Sequence, residues 1–137
     1  MIDLTSDLDV LAATLWGEAR GEGSRGIAAV ASVIANRVAH SEGRLQFGDG
    51  TFKGACLALY QFSCWNHDDP NRAKLLALDL ASAPVCVWTA QQALAGALDD
   101  PTGGALYYKV STLAWPHDWG RETPPTCTIG HHSFYKF

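Results

Sequence analysis

Apolar residues recur at helical spacing from the start of the chain. Leu8, Leu11, Ala12 and Leu15 fall on one face, the recurrence expected of an amphipathic helix. Ser6 precedes them as an N-cap with Asp9 at the third helical position, and Gly21 and Gly23 mark the end. A second stripe, Ile27, Val30, Ala31, Ile34 and Val38, predicts a helix over 24–38. Ala28, Ala29, Ala31 and Ala35 give that helix a small-residue surface that another element can approach closely. The polar, glycine-bearing stretch 41–50 reads as a loop. Thr51 caps a short helix carrying Phe52, Ala55, Cys56 and Leu59, and 60–67 is too mixed for a core helix, so an irregular segment is expected there. Asp69-Pro70 opens the next helix with proline at its first position, turning Ala73, Leu76, Ala77 and Leu80 inward. Pro84 starts another, with Val87, Ala90, Gln91, Leu94 and Leu98 on one side.

The pattern then changes. The residues 99–104 form a turn by composition. Ala105-Leu106-Tyr107-Tyr108 reads as a short extended piece, and 129–135 as a second short strand. Between them, 111–128 carries Pro116, Pro124, Pro125, Trp115 and Trp119 and reads as a loop crossing the surface. No repeat, low-complexity tract or linker interrupts the chain. The expectation is one mainly α (α+β) domain over 1–137 with a small, irregular C-terminal portion.

Composition narrows what such a domain can do. With 137 residues the chain can bury a core, and 47% hydrophobic against 18% charged residues is a globular balance. A formal net charge of −4 leaves no bulk positive charge for gripping nucleic acid, so no nucleic-acid partner is expected. No apolar run reaches the ~20 residues that cross a bilayer, so no stable membrane insertion is expected either. The N-terminus is acidic where a secretion signal is basic, and no apolar signal core follows it. No signal peptide is therefore read: either the chain starts in the cytoplasm or its export segment lies elsewhere. Cys56, Cys64, Cys86 and Cys127 show no C-x-x-C spacing and suggest buried free thiols, with one disulfide open if the protein works outside the cytoplasm. A monomer is expected.

Three groups of residues could carry chemistry. Glu18 lies at the edge of the first apolar stripe, one turn beyond Leu15 and beside Trp16. A carboxyl between core and solvent is partly desolvated, which favours its protonated form, as a proton donor to a glycosidic oxygen requires. The plain alternative is an exposed glutamate near a helix end. Glu22 follows one turn later and would share a face with Glu18 only if the helix continued through Gly21 and Gly23. Otherwise it is as well placed to pair with Arg25 or Arg37. The second group is His117-Asp118 with His131-His132, which no fixed metal-ligand spacing supports. On a strand, His131 and His132 would point to opposite faces. The third is the aromatic density of Phe62, Trp65, Tyr107, Tyr108, Trp115, Trp119 and Tyr135. Such rings stack on sugars in a pocket with a few polar groups, or close a small core under the long loop.

These residues fall into an ordered pattern. Trp16-Gly17-Glu18-Ala19-Arg20-Gly21-Glu22, then Gly26 and Ala28-Ala29-Val30-Ala31 leading to Asn36-Arg37-Val38, resembles the opening signature of the cell-wall hydrolases related to the spore-cortex lytic enzymes. Gln61-Phe62-Ser63-Cys64-Trp65-Asn66 resembles their central motif, the block from Asp100 to Tyr108 their third, and Ile129-Gly130, His132 and Phe134-Tyr135 their last. The resemblance implies a lysozyme-like, mainly helical fold with a small β element beside a cleft. It also implies peptidoglycan glycan strands as partner and cleavage between N-acetylmuramic acid and N-acetylglucosamine. Glu18 falls on the family's catalytic glutamate. In the spore enzymes the reaction is a lytic transglycosylation giving a 1,6-anhydro sugar, which one carboxyl can serve; a muramidase outcome stays open. Substrate contacts are expected from Glu22, Gln61, Phe62, Ser63, Asn66, Tyr107, Tyr108, Trp119 and His132, with no metal and no cofactor.

The chain departs from the spore enzymes in lacking a peptidoglycan-binding repeat and in its Trp- and Pro-rich loop. In carrying no visible signal it resembles a phage endolysin, made in the cytoplasm, released by a holin and acting on the wall from the periplasm. Two other classes remain: a zinc amidase working through His117, His131 or His132, which a chelator would silence, and a non-catalytic wall-binding module, which would bind sacculi without releasing fragments.

Overall fold

The computed structural model describes residues 1–137. The first helix, α1, is Asp7–Ala19, and the Ser6 hydroxyl caps it by accepting from the backbone N–H of Asp9. Val10, Leu11, Ala12, Ala13, Thr14 and Leu15 are all fully buried, so α1 is enclosed on most sides rather than along one stripe. A tight turn, with Gly23 at φ +74°, leads into α2, Gly23–Ala39. Thr51 caps α3, Phe52–Leu57, by accepting from the Gly54 N–H. Helix α4 is Asn71–Leu76 and α5 is Pro84–Leu94; α2, α3, α4 and α5 all pack against α1.

Three helical expectations shift. Helix α3 stops at Leu57, so Leu59 lies beyond it and is 81% exposed. Helix α4 is only six residues long, and Leu80 belongs to a separate 3-10 turn, Leu80–Ser82. The break redirects the chain. Leu75 and Leu78 are buried, while Ala73 and Ala77 are exposed and Leu76 and Leu80 half-buried. On α5 the buried face is Cys86, Thr89, Ala90 and Ala93, whereas Gln91 and Leu94 are exposed and Leu98 lies past the helix end. Small side chains bring α5 close to α1 and α2, so the larger Val87 and Leu94 are left toward the rim.

The C-terminal portion is a three-stranded antiparallel sheet: β1 (Tyr107–Val110), β2 (Cys127–Ile129) and β3 (His132–Tyr135), in the order β1-β3-β2. The first strand starts two residues later than the extended piece read from sequence. The single strand expected over 129–135 is a hairpin instead, and Cys127 and Thr128, expected in the loop, form its outer strand. Gly130 makes this possible: at φ +58° it takes the first central position of a two-residue turn, where a left-handed backbone is required. Register sets the two faces. Tyr108 pairs with Phe134 and Val110 with His132, so Tyr108, His132 and Phe134 share the face toward the helices. There Ala105, Ile129 and Phe134 pack against Ala29 and Val33, the small-residue surface of α2. Tyr107 and Tyr135 leave by the other face and meet Trp115, Trp119 and Phe137 in an aromatic cluster under the long loop. All four cysteines are free thiols, and Cys56, Cys64 and Cys86 are buried.

Candidate active site

Glu18 stands on the last turn of α1, half-buried, where the irregular segment 61–66 crosses the helix. That crossing is close because residue 17 has no side chain: a Cβ there would lie 3.1 Å from both Cβ and Sγ of Cys64. The segment is tied down at both ends. Trp65 Nε1 donates to the Thr14 hydroxyl at 2.9 Å, and Arg37 Nη1 donates to Gln61 Oε1 at 3.2 Å. Across from Glu18, the Tyr108 hydroxyl donates to Glu18 Oε1 at 2.6 Å. Burial, reinforced by the adjacent Glu18 carboxylate, holds the Tyr108 pKa well above its ordinary value, so it remains a donor. Burial likewise raises Cys64, with Glu18 adding to it, and pushes Cys56 up to about 12. Neither thiol is a nucleophile near neutral pH.

Glu22 shares a pocket with Glu18. The helix ends between them, yet the tight turn into α2 leaves both carboxylates lining a depression of about 240 Å³ with Arg20, His131 and His132. The partner of Glu22 is neither Arg25 nor Arg37. Its Oε1 accepts the backbone N–H of His131 at 2.8 Å, and its Oε2 lies 2.7 Å from the His131 Nδ1. His132 Nδ1 comes within 3.2 Å of Oε1, but off the axis a hydrogen bond needs, and is buried without another partner. The bond from His131 holds Glu22 below its usual carboxylate range despite burial, and raises His131 in return. Burial lowers His132, with Glu22 and Glu18 opposing. The expectation that His131 and His132 diverge is thus overturned. His131 occupies the turn, not a strand, and both imidazoles converge on one carboxylate. His117 and Asp118 stand apart, exposed on a 3-10 turn of the long loop, and no three His, Cys, Asp or Glu side chains are grouped as a metal site would need.

Beyond Glu18 the wall of the site hangs on Arg37. This arginine is 4% exposed and has no carboxylate partner. Its Nε donates to the Leu106 carbonyl at 2.7 Å, and the rings of Phe47, Phe62 and Tyr107 lie 5.0–5.3 Å from its guanidinium carbon. Next to it, Asn36 donates to Asp100 and to the Ala105 carbonyl, both at 3.0 Å, while Asp100 Oδ1 accepts from the N–H and hydroxyl of Thr102. Asn36 and Arg37 therefore dock the 100–106 loop on α2 and aim β1 at Glu18. Sequence reading did not find this hub; the signal was a cation one turn after Ile34, on the apolar stripe.

The other expected contact residues divide. Gln61, Tyr107 and Trp119 line a second depression of about 270 Å³ with Gln46 and Phe137. Phe62 is buried beneath Arg37, and Ser63 is exposed beside Cys64. Asn66 is half-buried in a third depression with Tyr60 and His67. No helix is long and apolar enough to cross a membrane.

Comparison with known proteins adds to this geometry. The sequence model of the cell wall hydrolase family matches residues 21–135. No curated protein sequence matches. Among solved structures, the catalytic domain of the germination-specific lytic transglycosylase SleB from Bacillus anthracis is 30% identical, with a TM-score of 0.69 over 95% of this chain and 93% of that one. The catalytic domain of SleB from Bacillus cereus is 28% identical, with a TM-score of 0.62 over 95% of this chain and 89% of that one. The fold is the lysozyme-like arrangement expected from sequence, mainly helical with a small sheet.

Proposed function

Because the chain belongs to the cell wall hydrolase family, we propose that it cleaves peptidoglycan glycan strands between N-acetylmuramic acid and N-acetylglucosamine as a lytic transglycosylase, with Glu18 as the single acid and base. One observation carries this reading. Two carboxyls line the pocket, but both oxygens of Glu22 are engaged by His131, whereas the Tyr108 bond occupies only one oxygen of Glu18. A second, unencumbered carboxylate, which a two-carboxylate glycosidase needs as nucleophile or base, is not on offer.

One carboxyl suffices when the attacking group is the sugar's own. Glu18 gives its proton to the glycosidic oxygen as the C1–O bond of the muramic residue breaks. Its carboxylate then accepts the proton of that residue's 6-hydroxyl as O6 bonds to C1, closing the 1,6-anhydro ring. No water is consumed and Glu18 ends protonated, as it began. Tyr108 holds the carboxyl in place through both steps. Mass spectrometry of digested sacculi tests the outcome: anhydro-muramyl ends are expected, one water lighter than the reducing ends a muramidase would leave. Glu18→Gln is expected to keep the fold by circular dichroism and lower turnover at least ~100-fold, the lower range of a general acid's contribution. A folded variant clearing sacculi at the parental rate would remove Glu18 from the mechanism.

A further inference from the structure

Trp16 of α1 and Arg20, the residue that caps its C-terminus, stand one turn apart, on the side of the helix away from Glu18. Beside them, between the starts of α2 and α5, lies a depression of about 300 Å³ lined by Trp16, Arg20, Ser24, Ile27, Ser82 and Cys86. The Arg20 guanidinium lies over the Trp16 ring, 4.0 Å from its centre, and its Nη1 donates to the Trp16 carbonyl at 3.0 Å. Those two contacts fix the head group without neutralising it. The only carboxylate at ion-pair distance of any cation in the protein is Glu22, and its partners are His131 and His132. No acidic side chain lines the depression, and its floor, Ile27 and Cys86, is apolar and buried. Arg20 also lines the pocket that holds Glu18 and Glu22, so the two depressions adjoin at this residue.

An unpaired, oriented guanidinium above an apolar floor suits a carboxylate attached to a short aliphatic group. It does not suit a stacked sugar, because Arg20 already covers the face of Trp16. Resting on the glycosidase reading above, we propose that this depression binds a carboxylate of the peptide stem carried by the muramic residue whose bond lies at Glu18. The stem leaves that sugar through its lactyl ether, and its alanine methyl and free carboxylates supply the two features the depression complements. The glycan strand would thus be read by its peptide as well as its sugars.

Two measurements test this. Glycan strands carrying stems, and the same strands stripped by an amidase, are digested by the parent protein and by Arg20→Gln. The ratio of the two KM values is expected to move about tenfold in the variant, through loss of affinity for stem-bearing strands. Both KM values changing by one factor, or neither changing, overturns the proposal. Separately, the tripeptide L-Ala-γ-D-Glu-diaminopimelate is titrated into Glu18→Gln protein, following the indole signal of Trp16 assigned with Trp16→Phe. A saturable shift absent from the Glu18→Gln/Arg20→Gln protein is expected; no shift overturns the site. If the parent cleaves neither kind of strand, the glycosidase reading has failed, and the titration still decides the stem site.

Discussion

Tyr108 is the residue whose contribution can be separated most cleanly from packing. Its hydroxyl meets Glu18, while its ring lies edge-on to His132 and beside Phe134. Tyr108→Phe keeps the ring and removes one hydrogen bond to a carboxyl, so kcat should fall about tenfold with little change in thermal midpoint. Unchanged turnover would show that Glu18 needs no such support. The Glu22–His131 pair makes a different kind of claim, about pH. The folded-state pKa of His131 is raised, so its contribution to stability is complete below the ordinary histidine value and fades as pH rises through the raised one. The folded-state pKa of Glu22 is lowered, so its contribution is complete above the ordinary glutamate value of 4.5 and fades as pH falls through the lowered one. His131→Ala should therefore cost most between about pH 4.5 and 6.5, the two ordinary values. Thermal midpoints of parent and variant across pH 3–9 check this, and a pH-independent difference would mean the pair is not ionised as described. His132, lowered mainly by burial, destabilises both proteins as pH falls below its ordinary value.

At the scale of elements, what could be read depended on how the buried face is made. Helices α1 and α2 were legible because large aliphatic residues mark them, and Ser6 and the two glycines punctuate the first. Helix α5 buries Cys86, Thr89, Ala90 and Ala93, so weight given to large apolar side chains picked out Ala90 and the half-buried Val87 but turned Gln91 and Leu94 inward, where both are exposed. Strand β2 was hidden because three residues after a proline-rich run carry no periodicity of their own; it exists only through pairing with β3. For the site, Glu18 was singled out from the resemblance with support from the stripe edge, while the convergence of Glu22 on His131 was not foreseen, since it needs a turn with Gly130 at its first corner. Gly130→Ala tests that turn. A methyl there meets a left-handed backbone and would lie 3.0 Å from Glu22 Oε1. The expected loss is about 1–2 kcal/mol from the backbone alone, read as a lower urea midpoint at unchanged slope. A stability equal to the parent's would mean that the turn relaxes freely.

For the molecule as a whole, the arrangement of histidines bears on metal dependence. His131 is committed to Glu22, His132 turns its Nδ1 to the same carboxylate, and His117 rides a loop packed through Trp119 on the opposite face of the sheet. Three ligands and an open position, as a catalytic zinc requires, would have to be assembled by rearrangement. EDTA should accordingly leave the digestion of purified sacculi unchanged; activity lost to chelation and restored by zinc would replace the glycosidase with an amidase. The same layout has a consequence in time. Glu18 reaches Tyr108 across 90 residues of chain, and Glu22 reaches His131 across 109. Contacts so distant in sequence form late. During synthesis α1 emerges first carrying Glu18, but the wall facing that carboxyl has not yet been translated. The pocket around Glu18 is therefore complete only once the hairpin has left the ribosome and folded back against the helices.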